Sequence, residues 1–257
     1  MIVTNGTKRI PDDIGFRIHI SLWGGEDTSA LTRGADVTQK AFRNYAHDPR
    51  AMFVYTINPL NLDEIIPMAH KCSEHGVPMT FNYYSPTVVY QNSLVGTIDE
   101  KGSDYFRFSN DESNLVMSRS DYQQARQIIQ QAKAKYPDTI IYSMAYDDWV
   151  TSEQVYELDN EGIATNCACR TNNVHHTYFV DQTKSNLKCA NPTFDCRECR
   201  TYINGMSSHM RIENKRELHS GSKAQWSDAL ECWDRIFMGN QWSRLKEKTL
   251  SKPALTK

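Results

Sequence analysis

Short apolar runs alternate with stretches of helical spacing through the first half of the chain. Met1 to Gly6 reads as the end of a strand entering a turn, because Asn5-Gly6 favours a positive φ. Phe16 to Leu22 alternates, is rich in β-formers, and is closed by Gly24-Gly25. Met52 to Ile57 is apolar at nearly every position, as befits a parallel strand covered on both faces. Val77 to Tyr83 and Thr139 to Ser143 read as a fourth and a fifth strand.

Helices are expected between these strands. Asp36 and Gln39 have capping-box spacing, and Val37, Ala41 and Tyr45 follow at intervals of four. From Leu62 to Glu74, Ile65, Met68, Ala69 and Cys72 share one face, Asp63 and Glu64 suit the first turn, and Gly76 is a stop. Pro67 is expected to kink this helix. Ser120 and Gln123 form a second candidate box, ahead of Tyr122, Ala125, Ile129 and Ala132 and before Pro137. Trp226, Leu230, Trp233 and Phe237 make an aromatic stripe on a last helix. Residues 85–119 form an irregular connection of a length usually reserved for function.

Strands alternating with helices imply an α/β fold with a parallel sheet and right-handed crossovers. Such sheets place their ligand groups at the carboxyl ends of the strands. Here those ends carry Asn5-Gly6, Ser21 to Gly24, Asn58 to Asn61 and Asn82 to Ser85, which suit a polar small molecule. No G-x-G-x-x-G, Walker loop or G-x-S-x-G is present.

Composition narrows the field. A chain of 257 residues, 39% hydrophobic and 23% charged, is an ordinary globular one, large enough for one domain with a small module. A net charge of −2 gives no footprint for nucleic acid, and no apolar run suits a membrane span. The polar start is no signal peptide, so a cytoplasmic protein with reduced thiols is expected.

Cysteine supplies the candidate chemistry. Five of the seven cysteines lie between Cys167 and Cys199, in the order Cys167, Cys169, Cys189, Cys196, Cys199, ending in a C-x2-C pair. Thr177 to Val180, the polar stretch Asp181 to Asn186 and Leu187 read as a hairpin that returns Cys189 towards Cys167 and Cys169. Thiolates are soft ligands suited to iron–sulfur clusters and zinc. A zinc site needs four of these sulfurs, or three with His175 or His176, which on a strand point to opposite faces. Disulfides and clustered unligated thiols are the remaining readings. Cys72 and Cys232 read as core residues.

Several of these segments resemble radical S-adenosylmethionine (radical SAM) enzymes. The resemblance is carried by Thr4-Asn5-Gly6, by Ile18-His19-Ile20-Ser21-Leu22-Trp23-Gly24, by Tyr55 to Ile65, and by Gly76 to Thr87. The cysteine-rich stretch is similar to the SPASM or twitch-type auxiliary modules that follow some of these barrels. The resemblance covers about residues 1–200 and implies a partial TIM-like (β/α) barrel over 1–160, a cluster module over 161–205 and a helical extension over 206–257. It implies S-adenosylmethionine near Ser21 and Asn58, and an auxiliary 4Fe–4S cluster held by Cys189, Cys196 and Cys199 with Cys167 or Cys169. It also implies one-electron cleavage of S-adenosylmethionine to a radical that abstracts hydrogen from a small-molecule or peptide substrate. The family's C-x3-C-x2-C motif is absent from this sequence. The expectation is therefore a truncated or split chain lacking the first β-α units, with a complementing amino-terminal fragment as partner. The alternative is a non-catalytic, zinc-stapled binding module of the same fold.

Overall fold

The computed structural model describes residues 1–86, 115–169, 195–211 and 223–239. Their architecture is α/β. Strands β1 (Ile2–Thr4), β2 (Ile18–Leu22), β3 (Ala51–Ile57) and β4 (Met79–Tyr83) form one parallel sheet in the order β1-β2-β3-β4. Among the described residues seven α-helices accompany it: α1 (Glu26–Arg33), α2 (Thr38–Tyr45), α3 (Ile65–Glu74), α4 (Arg119–Lys135), α5 (Met144–Val150), α6 (Tyr202–His209) and α7 (Lys223–Phe237). Among the described residues the sheet is open, not closed into a barrel.

Register divides the sheet into two unlike faces. Ile20, Phe53 and Met79 align, as do Leu22, Tyr55 and Phe81. Large apolar side chains therefore line one face. Phe42 of α2 packs on Phe53 at 4.5 Å, the Cys72 thiol of α3 lies 3.7 Å from the Met79 sulfur, and Tyr122 of α4 meets Tyr83 edge-on. Strands laid down in sequential order by right-handed crossovers put their connecting helices on one side, and that side is this one. The opposite face aligns Ser21 with Val54 and Thr80, and Thr56 with Asn82, and also carries His19 beside Met52. It is unusually polar for a buried parallel sheet. Helices α6 and α7 cover it: Tyr202 and Phe237 stack on each other and both rings lie 5.7 Å from His19.

His19 is fully buried and ties the layers together. Its Nε2–H donates to the Ile236 carbonyl at 2.8 Å, so Nδ1 carries no proton and accepts from the Tyr202 hydroxyl at 2.6 Å. Burial, helped by the nearby Arg17 charge, lowers its pKa from 6.5 to about 4.

Several local expectations need correction. The fifth strand, Thr139 to Ser143, is a single parallel bridge, Met79 to Ile140. Ser143 instead caps α5, its hydroxyl accepting the Tyr146 N–H. The box expected at Ser120 and Gln123 forms two residues earlier: Ser118 accepts the Asp121 N–H, and the Asp121 carboxylate accepts the Ser118 N–H at 2.7 Å. Asp36 does accept the Thr38 N–H at 2.9 Å, but Val37 occupies the cap position of α2 and no box closes. Pro67 lies in the first turn of α3, after a 3-10 turn at Leu62–Glu64, where a missing donor breaks no helical bond. Phe16 is exposed, so β2 begins at Ile18. On α7 the buried stripe runs through Ala229, Cys232 and Ile236, with Trp233 and Phe237 beside it.

Candidate functional site

Four of the cysteines lie beyond α5, in a second small core beside the main one. Val155, Tyr156, Ala164, Cys167, Cys169, Cys196 and Cys199 form one buried cluster, edged by Trp149 and Leu158. Local hydrogen bonds set up each part. A turn is closed by the Leu158–Ala164 bridge, and the Asp159 carboxylate accepts the N–H groups of Glu161 and Ile163 at 2.9 and 2.8 Å. That turn delivers Cys167 and Cys169. The Ala168 N–H between them donates to Ser208 on α6 at 2.8 Å. On the other arm, the Asp195 carboxylate accepts the Arg197 N–H at 2.9 Å, and the Asp195 carbonyl accepts that of Glu198. This folds Cys196 and Cys199 back into the cluster. Arg197 lies over Gly162, where a Cβ would stand 2.4 Å from its guanidinium, so only glycine lets the two arms meet directly.

One ring registers both arms. The Tyr156 hydroxyl is pushed far above its ordinary pKa, first by burial, then by the negative potential of Cys199 and of Cys167. Tyr146 is raised by burial and then by Cys199.

The C-x2-C turn is fastened to the carboxyl end of β4. The Arg200 N–H donates to Ser85 Oγ at 2.7 Å, and the Tyr202 N–H donates to Asn82 Oδ1 at 2.9 Å. Arg200 itself is buried. Its guanidinium curls back to donate to the carbonyls of Arg197 and Cys199 at 2.9 and 3.2 Å, and of Ser152 at 3.4 Å. Behind the cluster, Asp147 accepts the hydroxyls of Tyr83 and Tyr142 at 2.8 and 2.9 Å, with Arg126 at 3.4 Å from its other oxygen. Burial raises the Asp147 pKa against these stabilising partners. With every oxygen engaged, this carboxylate holds α5 to the sheet.

The strand-end residues occupy the expected places. Ser21 is half-buried at the end of β2, where Oγ accepts the Trp23 indole N–H at 3.1 Å and its carbonyl accepts from Arg33 at 2.9 Å. Asn58 is fully buried just past β3, its Oδ1 accepting the Leu60 N–H at 3.0 Å and its own N–H donating to Asn61 Oδ1 at 2.9 Å. Both shape their own turns. Cys72 and Cys232 lie in the main core, and burial pushes the Cys232 thiol up to about 12. Cys189, His175, His176, the expected hairpin, most of the long connection and the chain after Gly239 lie outside the described residues. A cleft of about 880 Å³ opens at the other, amino, end of the strands, lined by Arg17, Asp48, Asp138 and Asp234.

Arg200, Asp147 and the seam between His19 and Tyr202 have roles that the spacing of residues along the chain does not announce. Arg200 stands directly after the C-x2-C pair in the sequence. The donor set has the softness an iron–sulfur cluster or zinc requires, and its walls exclude water. Among the described residues, no three Cys, His, Asp or Glu side chains form a group that could hold a metal ion. No protein-family model matches this chain, and no curated protein matches it.

Proposed function

We propose that this chain is a radical SAM-type α/β protein. Its sheet is part of a TIM-like (β/α) barrel, and its cysteines hold an auxiliary iron–sulfur cluster. The ligands are Cys189, Cys196, Cys199 and one of Cys167 and Cys169. The observation that supports this reading is the gathering of two cysteine pairs, far apart in sequence, into one apolar cluster fastened to the carboxyl end of β4. Ligand groups of parallel sheets collect at that end. A cluster bound there supplies one-electron transfer. The chain's own part is to hold it: Val155, Tyr156 and Trp149 keep water out, and the Asp195 turn fixes the C-x2-C geometry.

S-adenosylmethionine would lie along the strand ends, near Ser21 and Asn58, with a small molecule or peptide as substrate. The missing C-x3-C-x2-C motif would come from a second polypeptide segment adding strands at β1. Among the described residues β1 has a neighbour only in β2, and Val3 on it is 58% exposed.

The test is anaerobic reconstitution of the full chain with ferrous iron and sulfide. About four irons and four sulfides per chain, with absorbance near about 400 nm, are expected for a Cys-ligated 4Fe–4S centre. The double variant Cys196→Ser, Cys199→Ser should lose them. Zinc alone, at about one per chain, would replace this reading with the zinc-stapled module. A chain that takes up neither metal refutes both.

A further inference from the structure

Helices α5, α6 and α7 close around a small cavity. Tyr146, His209 and Trp233 line it, one from each helix, between the apolar walls Met206, Ala229 and Cys232. Its volume is about 10 Å³, close to the least that admits one water molecule. Each of the three polar residues carries a buried polar atom with no hydrogen-bond partner in the protein: the Tyr146 hydroxyl, His209 Nε2 and the Trp233 indole nitrogen. Tyr146 is 2% exposed and His209 5%, and their rings meet edge-on at 5.8 Å. The Tyr146 hydroxyl packs against Gly205, one helical turn before His209 on the same face of α6. Other buried tyrosines of this core are bonded, Tyr83 and Tyr142 to Asp147, and Tyr202 to His19. A buried polar atom left without a partner destabilises the fold, and here three of them belong to residues around one cavity.

We infer that this cavity is a built site for a single water molecule, which ties α5, α6 and α7 together. Chemistry selects the occupant. An indole N–H only donates, so the occupant must accept, which excludes a metal ion or an ammonium group. Among the described residues no Asp, Glu, Lys or Arg side chain lines the cavity. Burial lowers the His209 pKa to about 4, so its ring is neutral at neutral pH and offers an anion no opposite charge. Water accepts the Trp233 N–H and has both protons and a lone pair left for the Tyr146 hydroxyl and the His209 nitrogen. Three bonds are what a buried water typically makes.

A high-resolution crystal structure of the full chain should place one water within about 2.7–3.2 Å of all three atoms. In solution, the Trp233 indole N–H, assigned by its absence from Trp233→Phe, should show magnetic cross-relaxation with a water that stays bound for longer than the molecule tumbles. Tyr146→Phe tests the bond by its sign. Removing a hydroxyl that the water bonds should raise the unfolding constant roughly 2–10-fold, the usual range for one hydrogen bond. Removing a hydroxyl that has no partner should leave the chain as stable or more so. A dry cavity, direct bonds among the three side chains that close it, or a Tyr146→Phe chain at least as stable as wild type each overturns the inference. If Tyr146→Phe fails to fold, the crystal structure and the indole spectrum of the wild-type chain decide alone. The cysteines take no part, so either result leaves the metal-site reading where it stood.

Discussion

Replacing His19 by Gln removes one titrating group from the seam between the sheet and helices α6 and α7. In the folded protein the imidazole titrates at about 4, against an ordinary value of 6.5. The unfolded chain therefore binds the proton more tightly between those values. Stability contributed by neutral His19 is fully present above about pH 6.5, falls as the pH drops, and levels off below about pH 4. A gap of about 2.5 units at 1.36 kcal/mol per unit amounts to ~3 kcal/mol. Gln keeps a donor for the Ile236 carbonyl, so the variant should cost only ~1–2 kcal/mol at neutral pH. Urea unfolding at about pH 7.5, 6 and 4.5 would measure both chains. The wild type should be the more stable at neutral pH and should lose that advantage as the pH falls, because only it must bury or release the proton. His209 is likewise lowered to about 4 by burial. It is present in both chains, so its contribution cancels in the difference. A stability difference that stays constant across this range refutes the argument.

Asp147→Ala would leave the Tyr83 and Tyr142 hydroxyls buried without their acceptor. At ~1–3 kcal/mol for each stranded group, a total loss of about 3–5 kcal/mol is expected, and thermal denaturation yielding less than about 1 kcal/mol would deny the network its role. Gly6 has φ +77°, and a Cβ there would stand 2.6 Å from Ala41 Cβ and 2.7 Å from Ile20 Cγ2. Gly6→Ala should therefore destabilise by ~2 kcal/mol or more. Gly15→Ala, with open space around it, should leave the melting temperature unchanged.

The parts of the fold that the sequence made legible are those whose apolar side chains keep a period. Val37, Ala41 and Tyr45, then Ile65, Met68, Ala69 and Cys72, are all buried where their spacing puts them. Helix α1 has no such signal, because its buried residues are Thr28, Ser29 and Thr32. Helix α6 is hidden for the opposite reason: it is packed almost all round, so Asn204, Gly205, Ser208 and His209 are buried alongside Tyr202 and Met206. Thr139 to Ser143 has the composition of a strand, yet the chain leaves the sheet after one bridge because Ser143 is needed as a cap. For the site, the cysteine spacing was enough to suggest a meeting of the two pairs. The attachment to Ser85 and Asn82 depends on a tertiary arrangement that no local pattern encodes.

The partners of His19 lie 183 and 217 residues further along the chain. A ribosome finishes β2 early and exposes its polar side until α7 emerges. Through most of synthesis the nascent sheet has one finished flank and one waiting flank, whose closure must span nearly the whole polypeptide. Contacts of such separation fold slowly and prolong the interval in which a growing chain attracts chaperones or its own neighbours. Yield on expression should therefore depend strongly on α7, although it is only one of the elements packed on the sheet.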